Sequence, residues 1–157
     1  MSAHSVESIV IDRSSAEVFD VVHDYGIRID WDTMLRRAEV IGSHPPGKGV
    51  VTVCTARWYL GGFAFRTRYV TFVRPRLAAA TLLRPYFIFE NWSASIRHRD
   101  RPVQPGTDVA GSELTYTLTL SCRPRWAARP LEAIAIAMFA RETRRRLRAL
   151  KRYVESR

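Results

Sequence analysis

Residues 126–155, WAARPLEAIAIAMFARETRRRLRALKRYVE, decide how the rest of the chain must fold. Ile136, Phe139, Thr143, Leu147, Leu150 and Val154 recur at helical spacing and make one apolar stripe. Pro130 lies near the start of the segment, where a helix tolerates it. About thirty helical residues span about 45 Å, and no other segment promises a long helix. The two halves differ in character. Leu131 to Ala140 is apolar nearly all round, whereas Arg141 onward is strongly basic outside the stripe. The apolar surplus of the first half, Leu131, Ile134 and Met138, suits intramolecular packing, a dimer contact or a membrane surface.

Upstream the period is two. In Glu113 to Ser121, Leu114, Tyr116, Leu118 and Leu120 alternate with Thr115, Thr117, Thr119 and Ser121, the pattern of a strand with one buried and one wet face. Ser5 to Asp12 reads as the opening strand. Ser14 or Ser15 caps a short helix with Glu17 in its first turn and Val18, Phe19, Val21 and Val22 on its apolar face. A second short helix or turn, Ile27 to Thr33, carries Trp31 between Asp30 and Asp32 and reads as a lid. Further strands are expected at Arg36–Gly42, Val50–Leu60, Phe63–Val73, Leu77–Leu83 and Tyr86–His98, punctuated by HPPGKG at 44–49, Gly61-Gly62, Pro75 and Pro85. The order is one strand, two short helices, about six antiparallel strands and a closing helix. No internal repeat or linker divides residues 1–157, so one domain is expected.

Composition narrows the function. At 157 residues and 46% hydrophobic, the chain can bury one sizeable core. No run approaches the roughly 20 apolar residues of a membrane span, and Met1 to Glu7 lacks the features of a signal peptide, so a cytoplasmic location is expected. Cys54 and Cys122 stand apart without metal-ligand spacing and read as small core residues. The net charge of +10 comes from arginine, with Lys48 and Lys151 the only lysines, and reads as a compositional habit rather than a nucleic-acid surface. GxSxG, HExxH, Walker and GxGxxG patterns are absent.

An antiparallel sheet of this size must cover its apolar face, and only the C-terminal helix is long enough to do so. One helix does not fill the concave side of a strongly curved sheet, so an apolar space between them is the default binding site. The chain resembles the START-like or SRPBCC superfamily, in its polyketide cyclase/dehydrase and lipid-transport branch. The resemblance rests on Ser15-Ala-Glu-Val-Phe-Asp20 after the opening strand, Trp31-Asp32, Arg74-Pro75, Trp92 and the closing Arg144-Arg-Arg-Leu-Arg-Ala-Leu-Lys151. It implies an α+β helix-grip fold, with a curved antiparallel β-sheet wrapped around a long C-terminal α-helix and two short helices after strand one. It also implies a hydrophobic ligand, and it leaves open whether any reaction is catalysed.

The polar candidates each admit two readings. Counted from an inward Trp92, Tyr86, Ile88, Glu90, Ala94 and Ile96 share its face. An inward Glu90 would have a raised pKa suited to acid–base work or to anchoring a ligand hydroxyl; at a strand end or beside an arginine it would be structural. Arg57 and Tyr59 share one face of the hairpin strand. In the aromatase/cyclases that the chain resembles, an inward arginine and tyrosine polarise a carbonyl, and Arg57 with Tyr59 would match them. On a convex face they would be solvated. His23, His44 and His98 read as surface, capping or loop groups.

The expected ligand-lining set is Trp31, Tyr59, Phe65, Trp92, Tyr116, Phe139, Thr143 and Leu147. The leading expectation is a binding protein for a lipid, polyketide or aromatic compound. The enzyme alternative is a polyketide cyclase/dehydrase (aromatase) working through Arg57, Tyr59 and Glu90. A third reading is an interaction module that applies the basic C-terminal helix to anionic lipid or another protein. No metal or organic cofactor and no nucleic acid is implied, and the protein is expected to be a monomer or homodimer.

Overall fold

The computed structural model describes residues 2–102, 105–106 and 110–157. Strand β1 (Ala3–Ile11) leads into α1 (Ser15–Val22) and α2 (Arg28–Trp31), followed by β2 (Leu35–Val40), β3 (Val51–Ala56), β4 (Ala64–Val73), β5 (Leu77–Leu82), β6 (Phe89–Arg101), β7 (Gly111–Cys122) and α3 (Ala128–Glu155). The strands form one sheet in the order β1-β7-β6-β5-β4-β3-β2, with every neighbouring pair antiparallel. Except for β1 beside β7, each neighbour in the sheet is the next strand in sequence. This is the expected helix-grip α+β fold.

The alternation in β7 places Leu114, Tyr116, Leu118 and Leu120 in the core, each at most 6% exposed. β1 lies along β7 from Ala3 opposite Leu120 to Ile11 opposite Ser112. Against this part of the sheet packs the α3 stripe, with Phe139, Thr143, Leu147, Leu150 and Val154 all buried. Ser14 caps α1 by accepting a hydrogen bond from the Glu17 amide at 3.3 Å. Val18, Phe19 and Val22 on the inner face of α1 are buried.

Three local readings change in the folded chain. The segment around α2 is part of the core rather than a lid, because Arg28, Trp31 and Asp32 are all buried. β3 ends at Ala56, four residues short of the expected Leu60, and Trp58–Leu60 form a 3-10 turn. Gly61 and Gly62, at φ +93° and +67°, turn the chain there, and the Arg57 carbonyl accepts from the amides of Leu60 and Gly62. Finally, β6 begins at Phe89, after a tight Tyr86–Phe89 bridge, and is irregular between Phe89 and Asn91.

Candidate functional site

Between the concave face of the sheet and α3 lies a cavity of about 80 Å³. Its apolar wall includes Phe65 from β4, Trp92, Ala94 and Ile96 from β6, and Tyr116 from β7. Phe65 and Trp92 stack with centroids 5.6 Å apart, and Phe139 of α3 packs on both at 6.3 and 6.2 Å. Phe65, Trp92 and Tyr116 thus line the cavity. Trp31, Thr143 and Leu147 line a smaller adjoining space of about 10 Å³ that shares Arg28, Ile96, Tyr116 and Arg146 with it. Phe139, expected in the lining, packs against Phe65 and Trp92 without lining either space.

The three residues expected to carry acid–base chemistry are placed elsewhere. Arg57 is exposed in the turn after β3, and Tyr59 is 59% exposed. Tyr59 donates to Glu142 Oε2 at 3.0 Å and accepts from Arg145 at 3.2 Å, on the outer side of α3. The expected strand parity of Arg57 and Tyr59 does not exist, because the 3-10 turn replaces that strand. Glu90 is exposed for a different reason. At the irregularity Phe89 pairs with Cys122 and Asn91 with Ser121, so two steps on β6 match one on β7. This β-bulge breaks the two-residue parity, turning Phe89 inward with Trp92 and Glu90 outward.

A different polar set converges on the cavity. His23, just past the end of α1, is 6% exposed, and its Nδ1 lies 2.9 Å from the Tyr69 hydroxyl, which lies 2.8 Å from that of Tyr25. With Tyr69 donating to Nδ1, the neutral ring carries its proton on Nε2, which is buried without a partner among the described residues. Burial, helped by the Arg28 charge, holds the His23 pKa well below the usual imidazole range. Burial likewise drives the Tyr69 hydroxyl well above the usual phenol range. His23 and Tyr25 also border an outer depression with Asp24, Pro46, Phe72 and Arg74, so these two side chains stand between the cavity and the surface.

Beside them lies a buried ionic cluster. Arg28 Nε and Arg146 donate to the same Asp32 oxygen, Oδ2, at 2.8 and 2.7 Å, and Asp32 Oδ1 accepts from the Met34 amide at 3.1 Å. Burial by itself would raise the Asp32 carboxyl, but the charges of Arg146 and Arg28 outweigh it and hold the pKa below the usual value. Both arginines line the cavity. Two signals for this cluster stand in the sequence. Arg28 and Asp32 are spaced i,i+4, and Arg146 lies seven residues after Phe139 and four before Leu150, on the buried stripe.

Much of the basic half of α3 is engaged within the molecule. Arg144 pairs with Glu7 of β1 at 2.7 Å, Lys151 with Glu155 at 2.6 Å, and Arg146 with Asp32. Arg141, Arg148 and Arg152 are exposed. Of the apolar surplus, Leu131 and Met138 pack partly against the core, while Ile134 is 69% exposed.

The family model for polyketide cyclase / dehydrase and lipid transport matches residues 2–155. The chain belongs to this family. Among solved structures, Ara h 8.0201 superposes with a TM-score of 0.73 at 15% identity, with both chains covered completely. A START superfamily protein from Mycobacterium smegmatis gives 0.72 at 12% identity, covering 98% of this chain and 97% of that one. No curated protein matches in sequence. At these identities the two structures establish the START-like fold, and family and fold together support hydrophobic-ligand binding or cyclase-like chemistry. No helix among the described residues is long and apolar enough to cross a membrane.

Proposed function

We propose that this START-like protein binds a hydrophobic small molecule in the cavity between sheet and α3. The observation that carries the reading is the asymmetry of the cavity, with an aromatic wall of Phe65, Trp92 and Tyr116 facing a compact polar end. Such a site favours a flat apolar body with a polar group at one end. At about 80 Å³ the cavity is smaller than the roughly 150 Å³ cavity that holds a benzene ring, so even a single ring requires side-chain displacement, and a longer lipid or polyketide more of it. The route for entry past His23 and Tyr25 leads to the outer depression.

The cyclase/dehydrase alternative gains support from one specific feature, the convergence of His23, Tyr69, Arg28 and Arg146 on the cavity. A neutral imidazole hydrogen-bonded to a phenol can move a proton, and buried guanidiniums can stabilise an enolate oxygen. Arg57, Tyr59 and Glu90, being outside the cavity, are not part of this set.

Native mass spectrometry of the purified protein, followed by denaturing extraction, tests the binding reading. An apolar compound released on denaturation supports it. An empty protein that gains no thermal stability from a panel of lipids and aromatic compounds counts against it. Consumption of a diketide or longer poly-β-ketone by the wild-type protein, lost in His23→Phe, would move the assignment to the enzyme.

A further inference from the structure

The ionic cluster at the polar end of the cavity is unbalanced. Arg28 and Arg146 bring two positive charges, and Asp32 brings one negative charge that both share through a single oxygen. Side-chain exposure is 8%, 9% and 0%, so water screens little of the remainder. Among the described residues the neighbours that could compensate are all neutral. Burial raises the pKa of Cys54 and of Tyr25, which keeps both protonated. The Val22 carbonyl at the end of α1 accepts from Arg28 at 2.8 Å and contributes only a dipole. The rings of Trp31 and Tyr25 lie 5.0 and 5.8 Å from the Arg28 guanidinium carbon, and that of Tyr116 lies 5.5 Å from the Arg146 carbon. These faces solvate a cation and do not neutralise it.

A buried pair of guanidiniums sharing one carboxylate is costly unless an anion completes it. We propose that the ligand supplies this anion: the site takes an apolar aromatic acid whose carboxylate meets Arg28 and Arg146 while its ring lies against Phe65, Trp92 and Tyr116. The inference rests on the ligand-binding reading above and adds the charge of the ligand to it. Guanidinium forks match carboxylate geometry, and charge-assisted hydrogen bonds in a dry site discriminate strongly between an acid and its neutral isostere. The two arginines thereby act as the specificity-determining residues of the cavity, with Asp32 positioning both.

Isothermal titration at neutral pH with benzoate and 2-naphthoate, beside benzamide, 2-naphthamide and naphthalene, tests this directly. The expected result is binding of at least one acid about tenfold or more tighter than its amide. In Arg146→Met, which leaves Arg28 and Asp32 as a balanced pair, acid and amide should bind within about twofold of each other. Arg146→Lys retains the charge and should keep the acid preference, which covers the case in which the methionine variant does not fold. Equal binding of acids and amides, or binding of naphthalene or the amides alone, overturns the anion inference and leaves the hydrophobic-ligand reading standing. Failure of every probe, together with an empty protein in the mass spectrum, overturns both.

Discussion

Arg145 and Arg146 are neighbours on one helix and live in opposite electrostatic worlds. The Arg145 side chain is 45% exposed and joins Glu142 at 3.3 Å and the Tyr59 hydroxyl at 3.2 Å on the outer face of α3. Arg146 is 9% exposed, reaches Asp32 at 2.7 Å and faces the cavity. One residue of helix is a turn of about 100°, which carries a side chain from solvent to core. On the outer side water reaches the Arg145 guanidinium and weakens its pair with Glu142, although the Glu142 carboxylate itself is only 6% exposed. Inside, desolvation and attraction are both large, so the consequence of removing a partner is large as well. The arginine–tyrosine–glutamate cluster of Arg145, Tyr59 and Glu142 resembles a catalytic set on paper, but of the two arginines only Arg146 lines the cavity.

The contrast breaks most decisively at Asp32. In Asp32→Ala the two guanidiniums are left buried without a counter-charge, and the expected loss of stability is about 3–5 kcal/mol in urea denaturation. For a domain whose total stability is typically about 5–15 kcal/mol, that brings the variant toward unfolding. A loss below about 1 kcal/mol would mean that water reaches the cluster.

His98 sharpens the comparison as a third case, buried like Arg146 but with no partner among the described residues at either ring nitrogen. Lacking a counter-charge it stays neutral, and burial lowers its pKa from 6.5 to about 4. The unfolded chain therefore takes up this proton before the folded one does. The stability it contributes is full above the unfolded pKa and is lost as pH falls from about 6.5 to about 4, by on the order of 3 kcal/mol. His23, also lowered, acts in the same direction. Denaturation midpoints across this window should fall less steeply in His98→Leu than in the wild type; equal slopes would place the His98 ring in contact with water.

The smallest effect belongs to the outer cluster. Arg145→Ala and Tyr59→Phe should each cost about 1–2 kcal/mol, because the Glu142 carboxylate, only 6% exposed, loses one of the two side chains that donate to it and keeps the other. An unchanged denaturation midpoint in both variants would mean that water reaches the Glu142 carboxylate.

Much of the cavity's apolar wall was legible because periodicity is local: the alternation in β7 gave Tyr116, and parity counted from an inward Trp92 gave Ala94 and Ile96 on β6 beyond the bulge. Where the same parity was carried backward to Glu90 or into Arg57 and Tyr59, it failed. A bulge adds one residue and reverses the facing of everything before it, and two glycines at positive φ replaced a strand end with a turn. His23 was hidden for another reason. Its position marks the end of α1, and only the approach of β4 through Tyr69 makes it an interior group.

The sequence by itself determined the long closing helix with its buried stripe and the run of antiparallel strands before it, since these depend on the spacing of apolar side chains along the chain, and its family resemblance implied the helix-grip fold. Only the tertiary structure decided which charges are buried together. Asp32 and Arg146 stand 114 positions apart in the chain, and no local pattern states that they meet. Their pairing, and the unshared positive charge it leaves beside the cavity, arises because α2 and α3 close on the same side of the sheet.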